Sequence, residues 1–167
     1  MRAVLALILA GSSVVPAKVA TAACSFGAPP PCPSLDARRG AADLSSPAGL
    51  WAPIDGKTGQ RLGLIRIFQQ GGLFFGRIEP SSPSDDRSAR CTLCTDERRN
   101  QPIIGLVILR HLRLEEGEYV GGDILDPDTG HLYGCKFRLI EGGRKAIMRG
   151  FLGISLLGRS QTWERVE

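Results

Sequence analysis

The chain has 167 residues, 43% of them apolar and 23% charged, and it carries a net charge of +4 at pH 7. Its basic residues are spread along the sequence without a long clustered run, which argues against a nucleic-acid-binding protein. Once the N-terminal segments described next are set aside, the remaining length suits one domain with one hydrophobic core.

The first 23 residues have the features of a signal peptide. Arg2 gives a short positive region, Ala3–Ala10 is apolar, and the small residues at Ala20–Ala23 suit a signal peptidase. Spanning a bilayer takes roughly 20 apolar residues, so a membrane anchor or an ordinary helix is the weaker interpretation. No second hydrophobic span follows. We therefore expect an exported chain, periplasmic or secreted, that does not span a membrane.

Residues 24–48 are rich in proline, alanine and serine and show no sustained apolar period. Such a segment buries too little surface to offset its ordering entropy, so it is predicted to be a flexible tether, in which Cys24 and Cys32 could pair. Lipid attachment at Cys24 is disfavoured, because the three preceding residues lack the large aliphatic side chain usual before a lipidated cysteine. A single folded domain is predicted over residues 49–167.

A β-hairpin is predicted from residues 118–125 and 131–140. The second strand places an apolar side chain at every other position, so that one face carries Tyr133, Cys135, Phe137 and Leu139. Residues 126–130, DPDTG, form a turn sequence between the strands. Proline presets φ, aspartate binds its own backbone, and glycine adopts positive φ.

The same pattern repeats along the chain, with a long loop at residues 80–101 and a shorter one at residues 154–159. The run at residues 103–114 could be a helix, but its isoleucine and valine content favours a strand. Eight short strands are predicted in all, at residues 49–53, 61–70, 73–79, 103–114, 118–125, 131–140, 144–153 and 160–167.

Eight antiparallel strands in sequence order predict an all-β fold, an up-and-down barrel. A β-sandwich is the alternative. The interior of a barrel with this number of strands is just large enough for its own side chains or for one small ligand.

Gly49-Leu50-Trp51 resembles the Gly-x-Trp opening of the lipocalins, in which a tryptophan at the base of the barrel stacks under a basic side chain of the last strand. The resemblance implies that Arg165 in TWERV stacks on Trp51. Such a cation–π contact contributes roughly 0.5–2 kcal/mol.

A wider resemblance covers residues 49–166. GLWAPIDGKTG, LFFGRIE, CTLCTDERRNQPIIGLVIL, GGDILDPDTGHLYGCK and RGFLGISLLGRSQTWERV occur in the order seen in a family of small exported bacterial proteins, domain-of-unknown-function family 2147. The resemblance implies a lipocalin-like barrel and export, and no catalytic activity is established for the family.

Cys91 and Cys94 admit three interpretations. A zinc site needs four ligands, and no second Cys-x-x-Cys is present to supply them. A thioredoxin-like redox pair needs a helix N-terminus in a βαβ unit, whereas this pair lies between predicted strands. A structural disulfide remains, either local or from one of the two to Cys135. The family resemblance, which keeps the first two together, favours the local pair.

Arg149 alternates with Ile147 and Phe151. If that face is inward, Arg149 is a buried cation that needs an anion, and it could hold the carboxylate of an acyl ligand. The alternatives are an outward, solvated side chain or an internal ion pair with Asp126 or Asp123. Arg159 is expected to cap a turn or a barrel end.

The leading functional hypothesis is an exported barrel that binds a small apolar or amphipathic molecule. The alternative is a structural or interaction protein of the cell envelope, with a filled barrel and loops that meet a protein partner. No catalytic pattern is found, because Ser155 and Ser160 lack a G-x-S-x-G elbow and the two histidines follow no triad or metal spacing. We therefore expect no enzyme, no cofactor and no metal. The candidate ligand contacts are Trp51, Phe74, Tyr133, Phe137 and Arg149.

Overall fold

The computed structural model describes residues 43–154 and 158–167. Within these ranges the chain forms eight strands, with a 3₁₀ turn at Glu141–Gly143. The strands are β1 (Gly49–Pro53), β2 (Leu64–Gln70), β3 (Leu73–Glu79), β4 (Val107–Glu115), β5 (Glu118–Leu125), β6 (Leu132–Ile140), β7 (Lys145–Phe151) and β8 (Gly158–Arg165).

Each strand pairs antiparallel with the next one in sequence, and β1 pairs with β8 to close the sheet. At the closure Trp51 lies opposite Arg165 and Pro53 lies opposite Trp163. The predicted eight-stranded up-and-down barrel is therefore confirmed, and the sandwich alternative is wrong. No helix in the described part of the chain has the length and apolar character needed to cross a membrane.

Several strand boundaries differ from the prediction, and the largest shift is at the start of β4. The apolar run that begins at Ile103 joins the sheet only at Val107. Before that point the backbone turns at Gly105, where φ is +88°, and the Gly105 N–H donates to the Ile78 carbonyl at 2.8 Å. A change of direction at a glycine thus keeps residues 103–106 out of the ladder. The last strand, β8, begins at Gly158, two residues earlier than predicted.

The two ends of the barrel differ in the lengths of their connections. The tight turns β2–β3, β4–β5 and β6–β7 lie at one end, which we call the closed end. The connections β1–β2, β3–β4, β5–β6 and β7–β8 lie at the other, which we call the open end. The long β3–β4 connection predicted from the sequence is among the latter.

Residues 43–48 pack against the closed end and belong to the folded domain. Pro47 is fully buried, and its carbonyl accepts a hydrogen bond from Trp51 Nε1 at 2.8 Å. The Tyr119 hydroxyl donates to the Ser45 carbonyl at 3.3 Å. The flexible tether predicted to reach residue 48 is therefore wrong for the last residues of that range, because Trp51, Tyr119 and Arg165 donate to the carbonyls of residues 45–48. The remainder of the predicted tether and the predicted signal peptide lie outside the described residues.

The inner face of the barrel follows the predicted alternation. In β6, Cys135 and Phe137 are buried, and Tyr133 and Leu139 on the same face are half-buried. The core collects the inner-face side chains of all eight strands. A period of two was therefore sufficient to assign the face of this strand.

Candidate functional site

The closed-end half of the barrel is filled by its own side chains. Trp51 and Phe137 have no exposed surface, and their rings meet edge to face with centroids 5.2 Å apart. Phe137 also meets Trp163 at 5.6 Å, and Phe74 packs edge to face on Tyr119 at 5.3 Å. Three expected ligand contacts, Trp51, Phe74 and Phe137, are thus packed core side chains. Their role as ligand contacts is not supported, because neighbouring rings occupy the space a ligand would need.

The expected stacking of Arg165 on Trp51 is present. The guanidinium carbon lies 4.3 Å from the ring centroid, close enough for a cation–π contact. The same guanidinium donates to three carbonyls, those of Gly143 at 2.7 Å, Ala48 at 2.7 Å and Ser46 at 2.6 Å. Arg165 therefore ties the N-terminal residues and the β6–β7 turn together across the closed end.

At the open end, a half-open cavity of about 1580 Å³ extends from the barrel interior over the surrounding connections. Of the five expected ligand contacts, Tyr133 lines it. Its apolar wall combines inner-face side chains of β5, β6 and β7 with aliphatic side chains of two open-end connections. The residues of this wall include Ile124, Tyr133, Met148, Leu62 and Leu152.

Gly150 provides part of the space in this cavity. A Cβ atom built at Gly150 would lie 3.7 Å from Tyr133 Cβ and 3.9 Å from Ile124 Cγ2, which are ordinary contact distances. The position therefore points inward between two lining side chains. A methyl group fits there, whereas a longer side chain would extend into the cavity.

Arg149 lies outside the barrel. Ala146 and Met148 on the same strand are buried, and alternation places Arg149 on the opposite, outer face. Its Nη1 donates to Ser160 Oγ on β8 at 3.1 Å. The inward orientation considered for Arg149 is therefore wrong. The expected contact between Arg149 and a ligand carboxylate inside the barrel is wrong for the same reason.

Among the cavity residues that the sequence interpretation did not select as contacts are two inner-face residues of β8, Arg159 and Gln161. Arg159 pairs with Gly150 across the β7–β8 ladder. Alternation along β8 could have identified both residues, because Trp163 and Arg165 of the same strand face inward. Counting back in twos from Arg165 and Trp163 gives Gln161 and then Arg159, all on one face.

Cys91 and Cys94 form a disulfide, with Cα atoms 5.4 Å apart. The local pairing favoured by the family resemblance is confirmed, and the pairing with Cys135 is wrong. Cys135 is a free, buried thiol whose pKa is raised to about 12, chiefly by desolvation. It is therefore a packed small side chain rather than a nucleophile. Cys24 and Cys32 lie outside the described residues.

The disulfide segment packs on the β5–β6 turn at the open end. Cys91 Sγ lies 3.6 Å from the Pro127 carbonyl oxygen. The Gly130 backbone approaches the Leu93 carbonyl so closely that a Cβ atom at Gly130 would collide with it. The segment therefore covers the part of the open end next to this turn.

A cluster of charged residues fixes the same segment to β4 and β5. Arg98 is buried; its Nε donates to both carboxylate oxygens of Asp96 at 3.1 and 3.0 Å, and its Nη1 donates to the Val107 carbonyl at 3.2 Å. Arg110 lies 3.8 Å from Asp96 and donates to Asp123 at 3.2 Å. The pKa of Asp96 is lowered to about 2, first by the hydrogen bond from the Arg98 side chain.

This pKa predicts a specific acid sensitivity. The pKa of Asp96 rises from about 2 in the folded protein to its ordinary value of 3.8 on unfolding, so its ionised form stabilises the fold above that value and the contribution is lost as the pH falls towards 2. We expect the free energy of unfolding of the wild type to fall by about 1 kcal/mol more than that of Asp96→Asn over this interval, after allowance for solvent screening. Urea denaturation at several pH values measures both.

Asp128→Asn is the matched control, because Asp128 lies exposed in the β5–β6 turn. This variant should keep the pH profile of the wild type. Parallel profiles for the wild type and Asp96→Asn would show that the Asp96–Arg98 pair does not carry the acid sensitivity.

The histidines do not converge on a site. His111 Nδ1 lies 3.6 Å from Asp123 Oδ2 on the outer surface, while the His131 ring lies 6.3 Å from that of Tyr133. Among residues 43–154 and 158–167, no group of three or more His, Cys, Asp or Glu side chains is placed to hold a metal ion. Within the described residues, the open-end cavity is therefore the candidate functional site.

The family comparison covers the whole barrel. A family described as "Uncharacterized protein conserved in bacteria (DUF2147)" matches residues 49–165. The chain belongs to this family. The matched range runs from the first residue of β1 to the last residue of β8. The family resemblance drawn from the sequence motifs is therefore confirmed. No protein with a curated description matches this DUF2147 chain.

Among solved structures, the DUF2147 chain is similar to protein HP1028 from the human pathogen Helicobacter pylori, which is described as belonging to the lipocalin family. The TM-score is 0.63 at 17% sequence identity, and the match covers 73% of this chain and 84% of that one. At this identity the likeness concerns the fold alone, and it agrees with the expected lipocalin-like barrel.

Proposed function

We propose that this DUF2147 protein binds a small apolar or amphipathic molecule in the open-end cavity. The observation that carries the proposal is the division of the barrel into two halves. Aromatic rings fill the closed-end half, whereas the other end opens into a cavity whose inner wall includes Ile124, Tyr133 and Met148. A concave, mostly apolar pocket with a few polar groups is the usual form of a small-molecule site.

The proposal includes export and the absence of catalysis. Residues 1–23 have the sequence features of a signal peptide, and a disulfide such as Cys91–Cys94 is typical of an oxidising compartment. Cys135, the free thiol among residues 43–154 and 158–167, is buried with a raised pKa. These features support a binding protein of the periplasm or the exterior.

A structural or interaction protein of the cell envelope is the second candidate. It is favoured by aliphatic side chains that lie exposed at the open end, since exposed apolar groups often mark contact surfaces. They belong to, or adjoin, all four of its connections: Leu62, Leu93, Leu132, Leu152 and Ile154.

Binding of N-phenyl-1-naphthylamine tests the first candidate. This uncharged fluorophore becomes brighter in apolar surroundings, so titration of the full chain gives its affinity. We expect binding to the wild type and a loss of about tenfold or more in Gly150→Leu, whose side chain would extend into the cavity between Tyr133 and Ile124; tenfold corresponds to about 1.4 kcal/mol.

Gly150→Ala is the matched control. Its single added carbon meets Tyr133 and Ile124 at ordinary contact distances, so we expect near-wild-type affinity. Circular dichroism of each variant verifies that the barrel is folded. Failure of the wild type to bind the fluorophore, or equal binding by folded Gly150→Leu, would exclude the cavity as the site and favour the second candidate.

A further inference from the structure

We propose that the open-end cavity selects amphiphiles with one anionic head group, and that Arg159 binds this group at the mouth. The inference rests on the proposed function and adds the chemical class of the ligand. It also moves the anion-binding role from Arg149, where the sequence first suggested it, to an arginine that the strand register places inside.

The register of β7 and β8 fixes the direction of Arg159. Ala146 pairs with Trp163, and both are buried. Four residues further along each strand towards the open end, Gly150 pairs with Arg159. Because side chains alternate along a strand, Arg159 emerges on the inner face opposite a residue that has no side chain. The guanidinium therefore has room to turn over the cavity.

The side chain of Arg159 makes no hydrogen bond or ion pair with any other described residue. Arg165, on the same face of the same strand, differs in this respect, since it donates to three carbonyls at the closed end. Arg149 differs as well, because it faces outward and donates to Ser160. Of these three arginines, Arg159 is thus the one whose donors face the cavity.

The neighbouring polar groups are also donors. Trp163 Nε1 donates to Gln161 Oε1 at 3.2 Å, and an indole N–H can only donate, so the amide oxygen of Gln161 must be the acceptor. The amide NH₂ of Gln161 is left as a donor on the inner face. Tyr133, which lines the same wall, makes no hydrogen bond through its hydroxyl to another described residue. The inner polar groups therefore favour a ligand that accepts hydrogen bonds.

The carboxylates at the rim are engaged in their own turns. Asp55 Oδ1 accepts the backbone N–H groups of Lys57 and Thr58, each at 2.8 Å, and these bonds lower the pKa of Asp55. Asp126 Oδ1 accepts the N–H of Asp128 at 3.0 Å. No ion pair joins either carboxylate to Arg159 within the described ranges, so the cation remains available to a ligand.

The expected ligand therefore has two parts. An apolar body lies against Ile124, Tyr133 and Met148, and a single anionic group reaches Arg159. A carboxylate suits a guanidinium particularly well, because it can accept two parallel hydrogen bonds. A medium-chain fatty acid represents this chemistry in the simplest form.

Competition between two probes of equal chain length tests the inference. Dodecanoate and dodecanol share the apolar body and differ in the head group, and each displaces N-phenyl-1-naphthylamine if it enters the cavity. We expect dodecanoate to bind the wild type about tenfold more tightly than dodecanol at neutral pH. In Arg159→Gln the two should bind equally, with the affinity for dodecanol unchanged.

Arg149→Gln is the matched control, since it removes an arginine from the outer face of the adjacent strand, and the tenfold preference should persist in it. Equal binding of the two probes by the wild type would overturn the inference while leaving the cavity proposal intact. Lys57 is a second cation among the residues that line the cavity, and a preference that survives in Arg159→Gln but disappears in Lys57→Gln would also overturn the inference. If neither probe nor the fluorophore binds, the proposed function fails as well, so the two failures are distinguishable.

Discussion

Replacement of Phe137 by alanine is expected to lower the free energy of unfolding by about 3–5 kcal/mol, the usual cost of removing a large aromatic side chain from a packed core. Phe137 has no exposed surface and touches both Trp51 and Trp163 edge to face. Its removal would leave a void between two rings that are fixed to opposite sides of the β1–β8 closure. Urea denaturation followed by tryptophan fluorescence measures the change.

Two comparisons show whether Phe137 acts through packing. Phe137→Leu keeps most of the apolar volume and should lose clearly less stability than Phe137→Ala. Tyr133→Ala, in the cavity wall, should weaken binding of the fluorophore while costing less stability than Phe137→Ala, because Tyr133 is only half-buried. If Phe137→Ala were as stable as the wild type and merely lost ligand binding, Phe137 would be a ligand contact after all.

Removal of Arg165 is expected to have the next largest effect. Arg165→Ala deletes a stacking contact with Trp51 at 4.3 Å and three hydrogen bonds to backbone carbonyls. Because these carbonyls lie at an end of the barrel and can recover water, we expect a total loss of about 2–3 kcal/mol rather than the sum of the separate interactions. Chemical denaturation gives the total.

Local measurements separate this effect from general destabilisation. Amide hydrogen exchange should accelerate for residues 43–48 in Arg165→Ala, since their contacts with the guanidinium are lost. Arg165→Lys retains the charge but not the fork of donors, and we expect an intermediate loss of stability. Unchanged exchange at residues 43–48 in Arg165→Ala would mean that the N-terminal residues are held by other contacts.

The parts of the fold predicted correctly from the sequence are those set by local chemistry. The DPDTG turn forms by the expected contacts: Asp126 Oδ1 accepts the Asp128 N–H at 3.0 Å, and Gly130 adopts a φ of +73°. In β6 the apolar side chains of the buried face alternate with lysine and arginine, so the pattern identifies the inner face without further information.

The face of β7 could not be predicted in this way. Ala146 and Met148 alternate with Ile147 and Phe151, so both faces of the strand carry apolar side chains. The inward face is decided by the partner strand, where Trp163 lies opposite Ala146. Whether Arg149 faces inward or outward therefore depends on the pairing register of β7 and β8. The periodicity of β7 alone does not give this register.

The location of the cavity also lies beyond a sequence pattern. Whether the barrel is filled depends on how rings from separate strands meet, as Trp51 of β1, Phe137 of β6 and Trp163 of β8 do. Each of them follows the correct alternation, yet only their combined volume determines which half is closed. Trp51, Phe74 and Phe137, which were expected to contact a ligand, are for this reason core residues.

The first and last residues of the described part of the chain lie close together, which has a practical consequence for attaching the protein to a surface. Leu50 N–H donates to the Glu167 carbonyl at 3.1 Å, and residues 43–48 lie beside the β6–β7 turn, so the described chain starts and stops at the same pole. The cavity mouth is at the other pole, among the loops of the open end. A sensor chip or bead coupled at Glu167 would therefore leave the mouth facing solution, whereas coupling through the open-end loops would obstruct it.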